Sequence, residues 1–183
     1  WSGNDLRSVA GPHLSALQQA TQESVHLAVL NGNQVTYLDK MEGQHTLRMH
    51  SQVGKTSPVY CTGVGKAALS LLPVEELTRL AAELEYHRFT DNTIVTAEAL
   101  VADVEAIFQN GYGFDLQEHE LGIHCVAAPV RAPGRNFRAA ISVTGPAYRV
   151  DIAQLRRWAP LLRQTADNIS ADLACRLSPV AGN

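Results

Sequence analysis

The order of strand-like and helix-like segments is the feature of this chain that most limits its fold. Alternating residues at 24–30 and 34–39, separated by Asn31-Gly32-Asn33, predict a β-hairpin. Helical spacing then fills the middle of the chain, three strand-like runs follow, and a long amphipathic pattern comes last. This order predicts an α+β domain in which helices, including a long C-terminal helix, pack on an antiparallel sheet.

Periodicity, together with Gly and Pro, gives bounds for the single elements. Residues 5–23 have helical spacing interrupted by Gly11-Pro12, which predicts a short helix, a break and a second helix. In the helix over 97–109, Leu100, Val104, Ile107 and Phe108 are expected to face inward. The other predicted helices cover 65–71, a segment beginning at Pro73, and 151–177; the predicted strands are 24–30, 34–39, 46–50, 112–118, 123–131 and 137–144, the last two forming an antiparallel hairpin.

Length and composition favour one folded domain without a membrane span. With 183 residues, of which 45% are hydrophobic and 18% charged, the chain can bury a substantial core. No apolar run reaches the roughly 20 residues that cross a bilayer, and the first residues lack the order of a signal peptide. We therefore expect a cytoplasmic protein, and a first residue other than Met leads us to expect a fragment.

Charge and cysteine content argue against two other classes of protein. The formal net charge is -3 and the basic residues are scattered, so this chain alone is not expected to bind DNA strongly. Lys66 is expected to be a solvated helix residue. Cys61, Cys125 and Cys175 are odd in number and lack CxxC spacing, which indicates neither a disulfide framework nor a zinc ribbon.

A polar turn with two glycines runs directly into an apolar helix pattern at 57–69. The first N–H groups of a helix have no partner inside it and carry partial positive charge, so such a turn favours a carboxylate or phosphate. The alternative is that Gly63 and Gly65 only allow the chain to turn and the helix to pack closely. A nucleotide P-loop is excluded, because Tyr60 stands where that motif needs Gly and Ala67 where it needs Ser or Thr.

Four polar side chains interrupt strand-like segments that should be mostly apolar: Asp115, Cys125, Ser142 and Thr144. Because strand side chains alternate, Ser142 and Thr144 share one face of their strand. If Asp115 and Cys125 lie on neighbouring strands, the group would bind a small, oxygen-rich acid, with its carboxylate at the helix N-terminus and its hydroxyls on Asp115. Alternatively, Asp115 caps a turn and the hydroxyls bond to each other, and the residues alone leave both possibilities open.

Neither a metal site nor a catalytic site is indicated by the remaining polar residues. His119, His124 and Cys125, with Glu118 and Glu120 nearby, match no zinc signature, so we expect no metal and no cofactor. Cys125 as a nucleophile has no evident base in the sequence, and no catalytic residue is predicted.

Four blocks of sequence are informative when they are taken together: Leu47-Arg48-Met49, Pro58-Val59-Tyr60-Cys61-Thr62-Gly63-Val64-Gly65-Lys66-Ala67, Gly111-Tyr112-Gly113-Phe114-Asp115 with Glu118-His119 and Gly122-Ile123-His124-Cys125, and Ala140-Ile141-Ser142-Val143-Thr144-Gly145-Pro146. They resemble the effector-binding domain of IclR-family bacterial transcription regulators, in the family's order and with its approximate separations. The resemblance covers nearly the whole chain. It implies a GAF-like domain whose antiparallel sheet holds a small organic acid beneath the Gly-rich turn.

The resemblance also implies roles for single residues. Backbone groups of Gly63 and Val64 would hold the carboxylate, and Met49 would form an apolar wall. The rest of the acid would be surrounded by Asp115, Cys125, Ser142 and Thr144. Three positions depart from residues that are common in the family, which leaves the size and polarity of the ligand open: Ser57 for Leu, Val64 for Ala and Thr144 for Ser.

Family members also carry an N-terminal winged helix-turn-helix domain that binds operator DNA, and they form dimers and dimers of dimers. By this resemblance, residues 1–23 are the end of the interdomain linker and the first helices, and residues 24–178 are the effector-binding domain. The DNA-binding domain is expected to be absent from this chain. We expect a homodimer or homotetramer that meets operator DNA only through that missing domain and has no membrane partner.

Three functions are compatible with these observations. The first, which the resemblance favours, is the ligand-sensing domain of a repressor of small-carboxylate or sugar-acid catabolism. The second is an enzyme that acts on a small carboxylic acid through Cys125 or Asp115. The third is an oligomerisation module that has lost its ligand.

Overall fold

The computed structural model describes residues 3–44 and 52–177, in which five helices cover the two faces of a six-stranded sheet. Within these ranges, no helix is both long and apolar enough to cross a membrane. The helices are α1 (Gly3–Thr21), α2 (Gly63–Leu69), α3 (Val74–Glu83), α4 (Ala97–Asn110) and α5 (Ile152–Leu177); the strands are β1 (Ser24–Asn31), β2 (Gln34–Met41), β3 (Thr56–Pro58), β4 (Gly113–Leu116), β5 (Ile123–Val130) and β6 (Ala139–Pro146).

The sheet is antiparallel throughout and brings the first strands of the chain beside the last one. Its strand order is β3-β2-β1-β6-β5-β4, so the N-terminal hairpin pairs with β6 in the middle of the sheet. Gly32 has a φ of 64° in the β1–β2 turn, a conformation that Gly adopts without a Cβ penalty. The predicted α+β class, the β1–β2 hairpin and the β5–β6 hairpin are therefore confirmed.

Each face of the sheet has its own apolar core. Large side chains such as Leu27 and Ile141 pack against α1 and α5 on one face. On the other face, the small side chains of Ala28, Ala127 and Ala140 pack against α2 and its neighbouring helices. Because these sheet residues are small, α2 lies close to the backbone of the central strands.

The first helix is continuous, whereas the sequence predicted two helices with a break at Gly11-Pro12. Pro12 lies inside α1, where proline costs about 3 kcal/mol or more. On the same helix, Leu6, Leu14 and Leu17 are at most 1% exposed, and burying each such side chain contributes about 1.5 to 3 kcal/mol. Packing on the core thus outweighs the local preference for a break.

The prediction that Phe108 faces inward is wrong, because its side chain is 55% exposed. Leu100, Val104 and Ile107 form the buried face of α4, as predicted. Phe108 follows Ile107 and is rotated by about 100° around a helix of 3.6 residues per turn, which takes it off that face. The guanidinium of Arg131 lies over its ring, 5.9 Å from the centroid.

The third strand of the sheet differs from the one that the sequence predicted. The predicted strand at 46–50 lies outside the described residues. β3, at Thr56–Pro58, was not predicted, because three residues are too few for alternation to be recognised. It pairs with β2 at the edge of the sheet.

α2 begins at Gly63, two residues earlier than predicted, because Thr62 caps it. The Thr62 hydroxyl accepts a hydrogen bond from the Gly65 N–H at 3.2 Å and donates one to the Pro58 carbonyl at 2.7 Å. A Cβ on Gly65 would lie 2.6 Å from the Val59 Cα and 2.5 Å from the Thr62 hydroxyl oxygen. Gly65 therefore permits the close packing that the sequence offered as one of its two possible roles.

Substitution of Gly65 in α2 and of Gly11 in α1 with Ala should have opposite effects on stability. Gly65→Ala forces backbone or the capping hydroxyl to move, and we expect it to destabilise the domain by about 1 to 3 kcal/mol. Gly11→Ala is the control, because a Cβ there meets nothing within 4 Å and alanine favours a helix by about 0.5 to 1 kcal/mol. Chemical denaturation checks both variants, and equal stability of Gly65→Ala and the unmodified chain would refute the close approach.

Candidate functional site

A small, partly enclosed pocket lies between the sheet and the N-terminal end of α2. Its volume is about 60 Å³. At the roughly 15 Å³ that one water requires, this is space for about four waters or for a small organic acid. Met49 lies outside the described residues, and the six other predicted site residues line this pocket: Gly63, Val64, Asp115, Cys125, Ser142 and Thr144.

Strand pairing explains how residues far apart in the sequence meet. Asp115 of β4 is opposite Cys125 of β5, and Cys125 is opposite Thr144 of β6. Directly opposed residues project to the same face of a sheet, so these three side chains form a row across three strands. Ser142, two residues before Thr144, projects to that face as well. The prediction that Ser142 and Thr144 share one face is confirmed, and Asp115 and Cys125, whose position the sequence left open, lie on neighbouring strands of that face.

The start of α2 forms the opposite wall of the pocket. Gly63 lies directly on β5, because a Cβ at this position would be 2.6 Å from the Cys125 Sγ and 3.1 Å from the Ala127 Cβ. The first N–H groups of a helix have no acceptor inside the helix. At α2, the Thr62 hydroxyl accepts from the Gly65 N–H, while Gly63 and Val64 line the pocket.

Asp115 has two roles that the sequence had presented as alternatives. Its Oδ1 accepts a hydrogen bond from the Glu118 N–H at 2.8 Å, so it caps the turn that follows β4. It also lines the pocket, where it is only 6% exposed. Burial, and then repulsion by the Glu118 carboxylate, raises the pKa of Asp115 from 3.8 to about 7. Near neutral pH this carboxyl can therefore either accept or donate a hydrogen bond.

Cys125 is a buried thiol with hydroxyl neighbours. It is 5% exposed, and the hydroxyl-bearing residue Thr144 lies directly opposite it on β6, with Ser142 lining the same pocket. Burial, and then the charge of Asp115, raises the pKa of the thiol to about 12. The nucleophilic form of cysteine is the thiolate, which is scarce at neutral pH when the pKa is this high. This environment does not favour catalysis through Cys125.

His26 and Tyr37 belong to the pocket, but the sequence did not single them out. His26 is 3% exposed, and burial followed by the charge of Lys40 lowers its pKa to about 3, so the imidazole is neutral. Its Nδ1 lies 3.5 Å from the Ser142 hydroxyl oxygen, and its ring centroid lies 5.4 Å from that of Tyr37. The sequence signal that could have found His26 is a histidine within a mostly apolar strand pattern. A polar side chain at such a position needs a hydrogen-bonding partner, which indicates a polar site nearby.

His119 and Glu120 also line the pocket, on the turn after β4. Over the described ranges, no group of three or more His, Cys, Asp and Glu side chains is arranged to hold a metal ion. The His119 ring instead packs edge-on against Phe89, with centroids 4.7 Å apart.

Lys66 is not the solvated helix residue that the sequence predicted, because its side chain is only 1% exposed. Its ammonium donates hydrogen bonds to Asp103 Oδ2 at 2.6 Å, to Glu118 Oε1 at 2.7 Å and to the Phe114 carbonyl at 2.7 Å. Burial opposes the charge, but attraction to Glu118 and Asp103 outweighs it and raises the pKa of Lys66. These partners lie 37 to 52 residues further along the chain, so no local pattern could identify them.

Residues 1–171 match a family model described as bacterial transcriptional regulator IclR C-terminal. Among curated relatives, the HTH-type transcriptional regulator KdgR of Escherichia coli K12 is 31% identical over 169 residues, which are 92% of this chain and 64% of KdgR. The HTH-type transcriptional repressor AllR of Salmonella paratyphi A is 34% identical over 177 residues, which are 97% of this chain and 65% of AllR. The chain thus spans slightly less than two thirds of these relatives.

Solved structures have the same fold. The IclR protein of Thermotoga maritima superimposes with a TM-score of 0.87 at 32% sequence identity. The match covers 92% of this chain and 68% of that structure. The chain therefore shares the predicted GAF-like arrangement, with its long C-terminal helix, with the Thermotoga maritima protein.

Replacing Asp115 with Asn should stabilise the domain more at pH 8 than at pH 5. A carboxyl whose pKa is raised on folding contributes stability below its unfolded value, near 3.8, and loses that contribution as pH rises through about 7. The Asp115→Asn substitution would remove this loss, and the oxygen of the new amide can still accept from the Glu118 N–H.

The expected gain of Asp115→Asn over the unmodified chain grows by on the order of 2 kcal/mol between pH 5 and pH 8. Urea denaturation at several pH values measures it. The contribution of His26 cancels, because it is common to both proteins. A difference that does not change with pH would contradict the raised pKa.

Proposed function

The chain belongs to the IclR family of bacterial transcriptional regulators, and we propose that it senses a small organic acid on behalf of such a regulator. The observation that carries this proposal is the convergence of a helix N-terminus, a buried carboxyl and two hydroxyls on one small pocket. Small-molecule sites combine enclosure with a few placed polar groups in this way. We further propose that the regulator is a repressor, since AllR is named as one.

The lining of the pocket supports a carboxylate ligand that also carries oxygen groups. We propose that the carboxylate accepts from backbone N–H groups of Gly63 and Val64, where the helix dipole adds partial positive charge. Ser142 and Thr144 would bond to hydroxyl or carbonyl oxygens at the other end of the acid. Asp115 would accept from a ligand hydroxyl when it is ionised and donate to a ligand oxygen when it is protonated.

The volume and polarity of the pocket restrict the class of acid. A cavity of about 60 Å³ suits a two- or three-carbon hydroxy acid or oxo acid rather than a bulky apolar one, and a sugar acid such as gluconate would require the pocket to widen. His26 and Tyr37 add polar atoms to the wall. We therefore propose that the regulated genes serve small-carboxylate or sugar-acid catabolism.

In a transcription regulator, ligand binding to the sensing domain must change the affinity of a DNA-binding domain for its operator. We propose that the whole protein binds operator DNA in the cytoplasm through an N-terminal winged helix-turn-helix domain that precedes these residues. This chain has a net charge of -3, which suits sensing better than DNA binding. A homodimer or homotetramer would couple ligand occupancy to the DNA readers, provided that the acid binds two arrangements with different affinity.

The test is whether pyruvate, glycolate, lactate or gluconate binds to this chain. Binding is measured by thermal shift and by titration calorimetry. An acid that binds only the folded state raises stability by about 2.7 kcal/mol at 100 times its Kd. Asp115→Ala should weaken the binding of that acid by about 1 to 3 kcal/mol, because a charge-assisted hydrogen bond is lost. Asp91→Ala is the matched control, since Asp91 is exposed and outside the pocket.

Two results would contradict the proposal. If no acid in an extended panel of oxo, hydroxy and sugar acids binds, the domain is not a sensor of this class. If the acid is consumed, and Cys125→Ala abolishes its consumption, the domain is an enzyme. A sensor leaves the bound acid chemically unchanged, which mass spectrometry of the recovered acid establishes.

A further inference from the structure

Three parts of the fold meet at one buried ammonium group beside the pocket. We define the Lys66 cluster as Lys66 of α2, Asp103 of α4, Glu118 of the turn after β4, and the Phe114 carbonyl of β4. The three contacts from Lys66 Nζ are 2.6 to 2.7 Å long. A lysine ammonium has three N–H donors, so each donor in this cluster has one acceptor.

Glu118 connects this cluster to the pocket. One carboxylate oxygen, Oε1, accepts from Lys66, and the other, Oε2, accepts from the Leu116 N–H at 2.9 Å. The backbone N–H of the same residue donates to Asp115 Oδ1 at 2.8 Å. A continuous path of hydrogen bonds therefore runs from Lys66 through Glu118 to the carboxyl that lines the pocket.

We propose that Lys66 is a positioning residue for the pocket: by fixing Glu118, it holds the Asp115 carboxyl in its ligand-facing position. Lys66 is not among the residues that line the pocket, so it acts through Asp115 and not on the ligand. The proposal deepens the proposed function, and only its binding arm rests on that function.

A purely stabilising role is a weaker explanation of the cluster. Burying an ion pair costs desolvation that its attraction often fails to exceed, and apolar side chains of similar volume are commonly as stable. What an ion cluster supplies instead is one defined geometry, because each donor must meet its acceptor. Here that geometry includes the turn that carries Asp115, whose Oδ1 is fixed by Glu118.

The pKa of Asp115 responds to the charges of the cluster, because Glu118 and Lys66 shift it in opposite directions. Glu118 raises the pKa of Asp115 and Lys66 lowers it, while burial is the largest cause of the raised value. Three charged groups shift the pKa of Asp115: Lys66 of α2, and Glu118 and Glu120 of the turn after β4. The charge of Asp115 in turn raises the pKa values of Tyr37 of β2, Cys61 before α2 and Cys125 of β5. His119 and the neutral imidazole of His26 line the same pocket.

The first experiment needs no ligand. The carboxyl carbon of Asp115 is followed by NMR through a pH titration of this chain, and its assignment is taken from Asp115→Asn. Glu118→Gln keeps the backbone N–H and removes the charge, so the titration midpoint should move to lower pH. Lys66→Met removes the opposing charge and frees the turn, so the midpoint should move to higher pH.

Matched controls separate these effects from general changes in charge. Lys55→Met and Glu85→Gln alter exposed side chains of the same types and should leave the midpoint of Asp115 unchanged. General loosening of the fold would expose Asp115 to water and lower the midpoint in both cluster variants. Opposite shifts show that both charges of the cluster act on Asp115, but charge alone would produce them. Positioning requires in addition that the Glu118 amide, which donates to Asp115 Oδ1, exchanges with solvent faster in Lys66→Met than in the unmodified chain, and unchanged exchange overturns the proposal. An unchanged midpoint in both variants, or in Glu118→Gln if Lys66→Met does not fold, overturns the proposal.

The second experiment uses pyruvate, glycolate, lactate and gluconate as probes in a double-mutant cycle. Lys66→Met should weaken binding by about fivefold or more, and it should cause no further loss in an Asp115→Ala background. Equal loss in both backgrounds would mean that Lys66 acts independently of Asp115, which overturns the proposal.

The outcomes of the two experiments distinguish the two proposals. If no probe binds but the midpoints shift in opposite directions and the Glu118 amide exchanges faster in Lys66→Met, the positioning role stands and the proposed function fails for this class of acid. If the probes bind the unmodified chain and all variants equally, the positioning role fails while the sensing role stands.

Discussion

The buried ammonium group of Lys66 is the interaction on which the arrangement of the pocket depends. A charge that is almost completely removed from water must be compensated by nearby acceptors, and here they come from α4, from β4 and from the turn after β4. Satisfying that one group fixes three segments relative to α2. Lys66 therefore joins the wall of the pocket formed by α2 to the wall formed by β4, in addition to the packing of α2 on β5 and the pairing of β4 with β5.

The pocket concentrates polar groups between two otherwise apolar layers. Burial raises the pKa of Asp115 and of Cys125 and lowers that of His26, so the charged forms of these three groups are disfavoured. Under the proposed function, the carboxylate of the acid would meet backbone N–H groups at the start of α2, and Asp115 would meet the oxygen groups at its other end. The pocket also suppresses thiolate chemistry, which is consistent with a sensor and not with a cysteine enzyme.

Much of the fold could be predicted from local sequence. The β1–β2 hairpin follows from alternation and from a Gly turn, and α4 follows from helical spacing that ends at Gly111, which has a φ of 80°. Four predicted site residues lie around one pocket because strand alternation fixes the face of each side chain, and Gly63 and Val64 join them at the start of α2. Local rules failed where packing energy exceeded them, as at Pro12 inside α1, or where an element is very short, as in β3.

The sequence by itself determined the class of the domain, its family and the face of the sheet that carries polar groups, because periodicity and motifs are local properties. Only the tertiary structure decided that Lys66 is buried and that Asp115 caps a turn while lining the pocket. It also decided that His26 and Tyr37 belong to the same wall. The physical reason is that burial and ion pairing depend on which distant segments meet, and strand order and helix packing set those meetings.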